Sequence, residues 1–148
     1  MASLEYSSDN LTEAIRRLEK ADLFTDENVK DLLKAGVGIM LASVKSAYVQ
    51  AGHNNPSRPR RTGETYRHIA RSRRVKKDKD GVPYMQVEVQ GKDKRGQRYG
   101  TKAFVLNYGR RVGGQIPAQY YWNNAVKQTW PQVNAAMSDL AAEKLKGV

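Results

Sequence analysis

Few residues in this chain have the type and spacing needed for catalysis. The two histidines, His53 and His68, stand 15 positions apart, and neither has an Asp or Glu placed for a metal site or a catalytic dyad. Both read as solvent-exposed loop histidines. Cysteine is absent, which removes disulfides, thiolate zinc sites and a Cys nucleophile. The glycines of the stretch GRRVGGQ lack the GK[ST] ending of a phosphate loop and read as loop flexibility. Carboxylates in the middle of the chain are scarce, and none pairs for acid–base work. No catalytic, metal-binding or cofactor-binding residue is expected, and an enzyme is not the expected class.

Binding chemistry is better represented. Residues 51–111 carry 17 Lys+Arg and 5 Asp+Glu, whereas residues 1–50 carry 6 and 8, and residues 112–148 carry 3 and 2. The formal charge of +11 therefore sits in the middle segment. Such asymmetry suggests a polyanionic partner, either nucleic acid or an acidic protein surface. Its densest part comprises Arg58, Arg60, Arg61, Arg67, Arg71, Arg73, Arg74, Lys76, Lys77 and Lys79, interleaved with Tyr66, and Arg110 and Arg111 follow later. Phosphate contact by such a cluster would be strongly salt-dependent. A solvated strand edge, kept from unwanted pairing by its lysines, is the competing explanation. No helix-turn-helix, zinc-finger or aromatic RNA-binding motif is present, so sequence-specific recognition is not expected. Tyr120, Tyr121, Trp122 and Trp130 form a second group, either core packing or an interface anchor.

The elements that must carry these groups follow from periodicity. The 148 residues suit a single domain, with the basic loop 52–63 and the flexible loop 109–117 as extensions. The polar, acidic first ten residues do not resemble a signal peptide. No stretch is expected to reach the ~20 apolar residues of a membrane span. Leu4, Glu5 and Tyr6 suit a short edge strand. Leu11, Ala14, Ile15 and Leu18 then mark an amphipathic helix capped by Asp9 or Asn10. Thr25, with Asp26 and Glu27 behind it, opens a long helix running to about Gln50. Gly36 and Gly38 within it suggest close packing of another element or a local break. A short helical segment is expected at 64–70, and a polar strand at 71–77. A turn at Asp80-Gly81 and a half-buried strand over 84–90 follow. A charged loop at 92–98 leads to a further strand over 99–108, making an antiparallel meander of three to four strands. The C-terminal part is helical, as two helices or one kinked at Pro131. Thr129 and Gln132 there form a candidate capping box. The expected class is α+β, an antiparallel sheet packed against a long helix and C-terminal helices.

The ordered layout carries a resemblance. A long helix leads to a Pro-containing loop closing in Thr62-Gly63, and Ile69 follows in an R-x-I-A context. The segment Ala103-Phe104-Val105-Leu106-Asn107-Tyr108-Gly109 comes next, then Pro117-Ala118-x-x-Tyr121-Trp122-x-x-Ala125. This layout resembles the tail-completion, or head–tail joining, family of tailed bacteriophages. That family typically shows P-x-x-T-G, then Y-A-x-x-V-E-x-G-T, then P-x-R-P-F and an alanine. The chain departs from it at Asn107 (usually Glu), at Arg110 (usually Thr) and at Tyr120-Tyr121 (usually Pro-Phe). The resemblance implies a non-enzymatic virion protein of the neck or tail, assembled in the host cytoplasm. It further implies a homo-oligomeric ring, often a hexamer, that meets the head connector or stopper and the tail tube or terminator. DNA in transit through the lumen is a further partner, and no membrane is involved. Arg58–Lys77 with Arg110 and Arg111 would then form the docking or lumen surface. A tail terminator, a minor capsid component and a non-specific nucleic-acid-binding protein are the alternatives.

Overall fold

Thr25 does what its position predicts. Its Oγ1 accepts the Asn28 N–H at 3.2 Å, capping a helix of 25 residues, α2 (Asp26–Gln50). The computed structural model describes residues 2–51, 64–109 and 118–146. Before α2 lies a single helix, α1 (Ala2–Lys20), so the expected edge strand at 4–6 and the expected start at Asn10 give way to continuous helix. Val29, Leu32, Val37, Val44 and Tyr48 form the buried stripe of α2. By length and composition α2 is apolar enough to cross a membrane, with a window of mean hydropathy 1.4, contrary to expectation. A core helix passes the same test, and α2 supplies buried residues along its whole length.

The C-terminal helix α5 (Tyr121–Leu145) also has 25 residues and passes through Pro131 without ending. The expected capping box does not form. Thr129 is buried inside the helix, while Pro131 is exposed, with its ring on the solvent side. Proline in a helix interior costs about 3 kcal/mol. Buried Thr129, Val133, Asn134 and Ala141 anchor the chain on both sides of it.

The sheet is smaller than expected. Instead of a meander of three to four strands there are two separate two-stranded antiparallel sheets. After the short helix α3 (Glu64–His68), β1 (Ile69–Arg71) pairs with β4 (Val87–Val89), with Ile69 opposite Val89. Between them β2 (Lys76–Lys77) pairs with β3 (Pro83–Tyr84) across the expected Asp80-Gly81 turn. Gly81 adopts φ +79°, and Asp78 Oδ1 accepts the N–H groups of Asp80 and Val82. The polar strand expected over 71–77 is thus two strands in different sheets.

The largest correction concerns residues 99–108, a helix (α4, Tyr99–Tyr108) where a strand was expected. Its aromatic and β-branched residues favour a strand only weakly, on a scale spanning ~1 kcal/mol that packing overrides. The fully buried positions are Tyr99, Ala103 and Asn107, four apart, which is the spacing of one helical face. In a strand, Thr101 would share their face, yet it is exposed.

The contacts divide the chain into two compact units. One comprises Met1–Met40, Arg73–Gln86 and Thr129–Val148, and the other Leu41–Ser72 and Val87–Gln128. In the first, Leu18, Leu32 and Ala141 form a core flanked by Ala14, Leu23, Met137, Leu140 and Leu145. Gly36 lets α5 approach α2 closely, since a Cβ there would meet Met137 Sδ at 2.8 Å. Gly38 has open space around it. Lys144 ties the helix ends by donating to Asn28 Oδ1 and Asp31 Oδ2, both at 2.9 Å. In the second unit Ile69, Tyr99, Ala103, Tyr121 and Ala125 are buried, and Tyr48 meets Tyr121 edge-on at 5.6 Å.

Candidate interaction surface

The second unit is organised around Asn107, which is wholly buried. Its Oδ1 accepts the Trp122 N–H at 2.9 Å, and its Nδ2 donates to Asn123 Oδ1 at 2.9 Å. Its own carbonyl accepts the N–H groups of Gln119 at 3.2 Å and Tyr120 at 2.8 Å. One residue at the end of α4 thereby satisfies donors at and just before the start of α5 that no helical bond serves. Alongside it, the Tyr121 hydroxyl donates to the Ala103 carbonyl at 2.8 Å. Burial, with Tyr48 nearby, pushes the Tyr121 phenol far above its ordinary pKa, so it serves as a neutral donor. The chain leaves this clamp at Gly109, with φ +81° and its N–H on the Val105 carbonyl at 2.7 Å. It returns at Ala118, which is exposed. Of the remaining motif positions, Ile69 and Ala125 are buried and Tyr108 is exposed. Thr62, Gly63 and Pro117 lie outside the described residues.

The expected basic surface divides between the two units. Arg73, Arg74 and Lys77 are exposed and Lys76 is half-buried in the first unit. In the second, Arg67 is exposed, while Arg71 is half-buried on β1. One guanidinium nitrogen of Arg71 is buried with no hydrogen-bond partner, so this residue is a partly internal cation. Arg58, Arg60, Arg61, Arg110 and Arg111 lie outside the described residues.

A second surface feature, in the second unit, was only half legible in the sequence. Phe104 and Tyr108 stack one helical turn apart on α4, with centroids 6.1 Å apart. Phe104 also meets Trp122 at 5.4 Å, and Tyr108 meets Tyr120 edge-on at 6.3 Å. Phe104, Tyr108 and Tyr120 are 40%, 55% and 49% exposed, so the row faces water. Of the four aromatics expected to be core or interface anchor, Tyr121 is buried, whereas Tyr120 and Trp130 are exposed. Phe104 and Tyr108 become visible as neighbours of Tyr120 and Trp122 only when 99–108 is folded as helix. Beside the row, a groove between β4 and α4 is walled by Val89, Phe104 and Val105 and rimmed by Lys92 and Arg98.

His68 corrects the expectation of an exposed loop histidine. It is half-buried at the junction of α3 and β1, and its ring stacks on Tyr99 at 4.1 Å. Its Nδ1 contacts the Glu64 carbonyl oxygen at 2.7 Å. The Tyr99 hydroxyl donates to Glu64 Oε2 at 3.0 Å, and burial together with that carboxylate raises the phenol's pKa. Lys102 holds Asp93 at 2.7 Å, and this bond is the main reason the Asp93 carboxyl titrates below its usual range. Among the described residues no group of three or more His, Asp or Glu could hold a metal ion. In the second unit the side-chain amide of Asn107 and the Tyr121 hydroxyl fix the ends of α4 and α5, and the exposed Arg67, Lys92, Arg98, Phe104, Tyr108 and Tyr120 offer cationic and aromatic groups to solvent.

Comparison with protein-family models, with curated proteins and with solved structures finds no match for this chain.

Proposed function

We propose that this chain is a non-enzymatic structural protein of a phage neck, a ring subunit, often one of six, that completes the tail and joins it to the head connector. The observation that supports the reading is that four motif positions, Ile69, Asn107, Tyr121 and Ala125, are buried as framework, while Arg67, Arg73, Arg74 and Lys77 are exposed, together with the motif positions Tyr108 and Ala118. A ring subunit needs such a framework, because neighbouring copies must pair through rigid, heterologous surfaces that close by rotation. The exposed cations then face DNA in the lumen or an acidic connector.

Charge reversal of Arg67, Arg73, Arg74 and Lys77 to Glu tests this reading in an infection. The expected result is folded protein with filled heads and complete, detached tails visible by electron microscopy. Normal yields of joined virions would refute it. The rival reading, a free nucleic-acid-binding protein, predicts tight binding of duplex DNA that weakens steeply as salt rises.

A further inference from the structure

In the second unit the exposed aromatic row lies beside a cationic turn, and the proposed function uses neither. The turn runs from Lys92 to Arg98, which face each other across an antiparallel bridge. Asp93 shapes it. Its Oδ1 accepts the N–H groups of Arg95 at 2.8 Å and Gln97 at 2.9 Å, and Gly96 adopts φ +81°. Its other carboxylate oxygen accepts from Lys102 at 2.7 Å. The one acid of the turn is thus occupied, while Lys92, Lys94, Arg95 and Arg98 are all exposed. Among the described residues none of these four side chains meets a carboxylate.

The row begins where the turn ends. Phe104 lines one groove with Lys92 and Arg98, and no carboxylate lines it. From Phe104 the rings continue to Tyr108 and Tyr120, with centroids 6.1 Å and 6.3 Å apart, and all three are exposed. Tyr120 sits at φ +51°, a left-handed conformation that L-residues rarely adopt, with its N–H on the Asn107 carbonyl at 2.8 Å. The clamp therefore holds an exposed ring in place at the expense of backbone strain, a pattern that gathers at functional surfaces. Exposed rings take flat faces, and unpaired cations take anions. A single-stranded nucleic acid offers both along one chain, a phosphate and an unstacked base at every nucleotide. A duplex keeps its base faces in its own stack, and a run of carboxylates has the charge without the faces.

We propose that the turn 92–98 and the rings of Phe104, Tyr108 and Tyr120 form a sequence-tolerant binding site for single-stranded nucleic acid. Phosphates meet Lys92, Lys94, Arg95 and Arg98, and bases stack on the three rings. The site stands independently of the neck reading.

The test uses the full chain and a fluorescein-labelled oligo(dT) of about 12 nucleotides, within the span of such surfaces, read by anisotropy. Oligo(U) of the same length runs in parallel, and the tighter of the two identifies DNA or RNA as the source. Saturable binding is expected. Its log–log salt slope should be about −3, because four phosphate contacts on a single strand contribute about 0.7 each. An abasic oligomer of equal length, which keeps the phosphates, should bind at least about tenfold more weakly. Phe104→Ser and Tyr108→Ser should each weaken binding by about fivefold or more, whereas Tyr108→Phe keeps the ring and the affinity. Exchanging Lys92, Lys94, Arg95 and Arg98 for Gln should flatten the salt slope. Far-UV circular dichroism checks that the variants fold. The abasic and duplex comparisons use the natural chain alone, so they test the site even where a variant does not fold. Absence of saturable binding, equal affinity for the abasic oligomer or for a duplex of the same length, or displacement by polyglutamate at equal charge would each overturn the proposal.

Discussion

Replacing Asn107 with Ala should cost more stability than any change to the exposed residues it touches. The side chain is wholly buried and makes two hydrogen bonds of 2.9 Å, one from the Trp122 N–H and one to Asn123 Oδ1. Loss of the acceptor at the start of α5 resembles loss of an N-cap, about 1 kcal/mol. The vacated volume contributes about another 1 kcal/mol. Asn123 is exposed and regains water, so it adds little. The sum is about 2 kcal/mol, or a fall in Tm of roughly 4–8 °C for a chain of this size. Urea unfolding monitored by circular dichroism should show a lower midpoint with an unchanged slope. Asn107→Leu, which restores volume without the acceptor, should recover only the cavity part. Asn123→Ala should cost under about 1 kcal/mol. An Asn107→Ala loss below about 0.5 kcal/mol, or one matched by Asn123→Ala, would refute the clamp.

The two glycines of α2 should respond in opposite directions. Gly36→Ala gains helix propensity but drives a methyl to 2.8 Å from Met137 Sδ and 3.0 Å from Val133 Cγ1, so a net loss of about 1 kcal/mol is expected. Gly38→Ala meets nothing within 4 Å and should stabilise by about 0.5–1 kcal/mol, both variants being read from denaturant midpoints. Asp93 should appear in the acid limb of the stability profile. Its carboxyl pKa is lowered, chiefly by the bond from Lys102, so its contribution is present above the usual carboxylate pKa of 3.8 and disappears as pH falls through the lower folded value. Asp93→Asn should flatten that limb while leaving the slope near neutrality unchanged.

The helical skeleton was legible because it obeys local rules. Thr25 with two acids behind it, a 25-residue apolar periodicity and a Gly at position 36 fix α2 and foretell that something packs closely on it. The Asp80-Gly81 turn was legible for the same reason, since a positive φ is needed there and Gly supplies it. Residues 99–108 were not. Tyr, Thr, Phe and Val carry a weak preference for strand, and the helix is decided by burial of Tyr99, Ala103 and Asn107 on one face. At Pro131 local rules left two helices or one kinked helix open, and buried residues on both sides carry a single helix through.

The sequence by itself determined where the charge lies and where the long helix α2 begins and ends. These properties depend on composition and on neighbours within a turn or two. Tertiary structure alone decided what Asn107 does, because its partners are 12 to 16 positions away. It also decided which aromatics meet water. Phe104 and Trp122 come together only after α4 forms and the clamp fixes the start of α5. Tertiary structure also stopped each sheet at two strands, since pairing between distant segments is what local periodicity cannot specify.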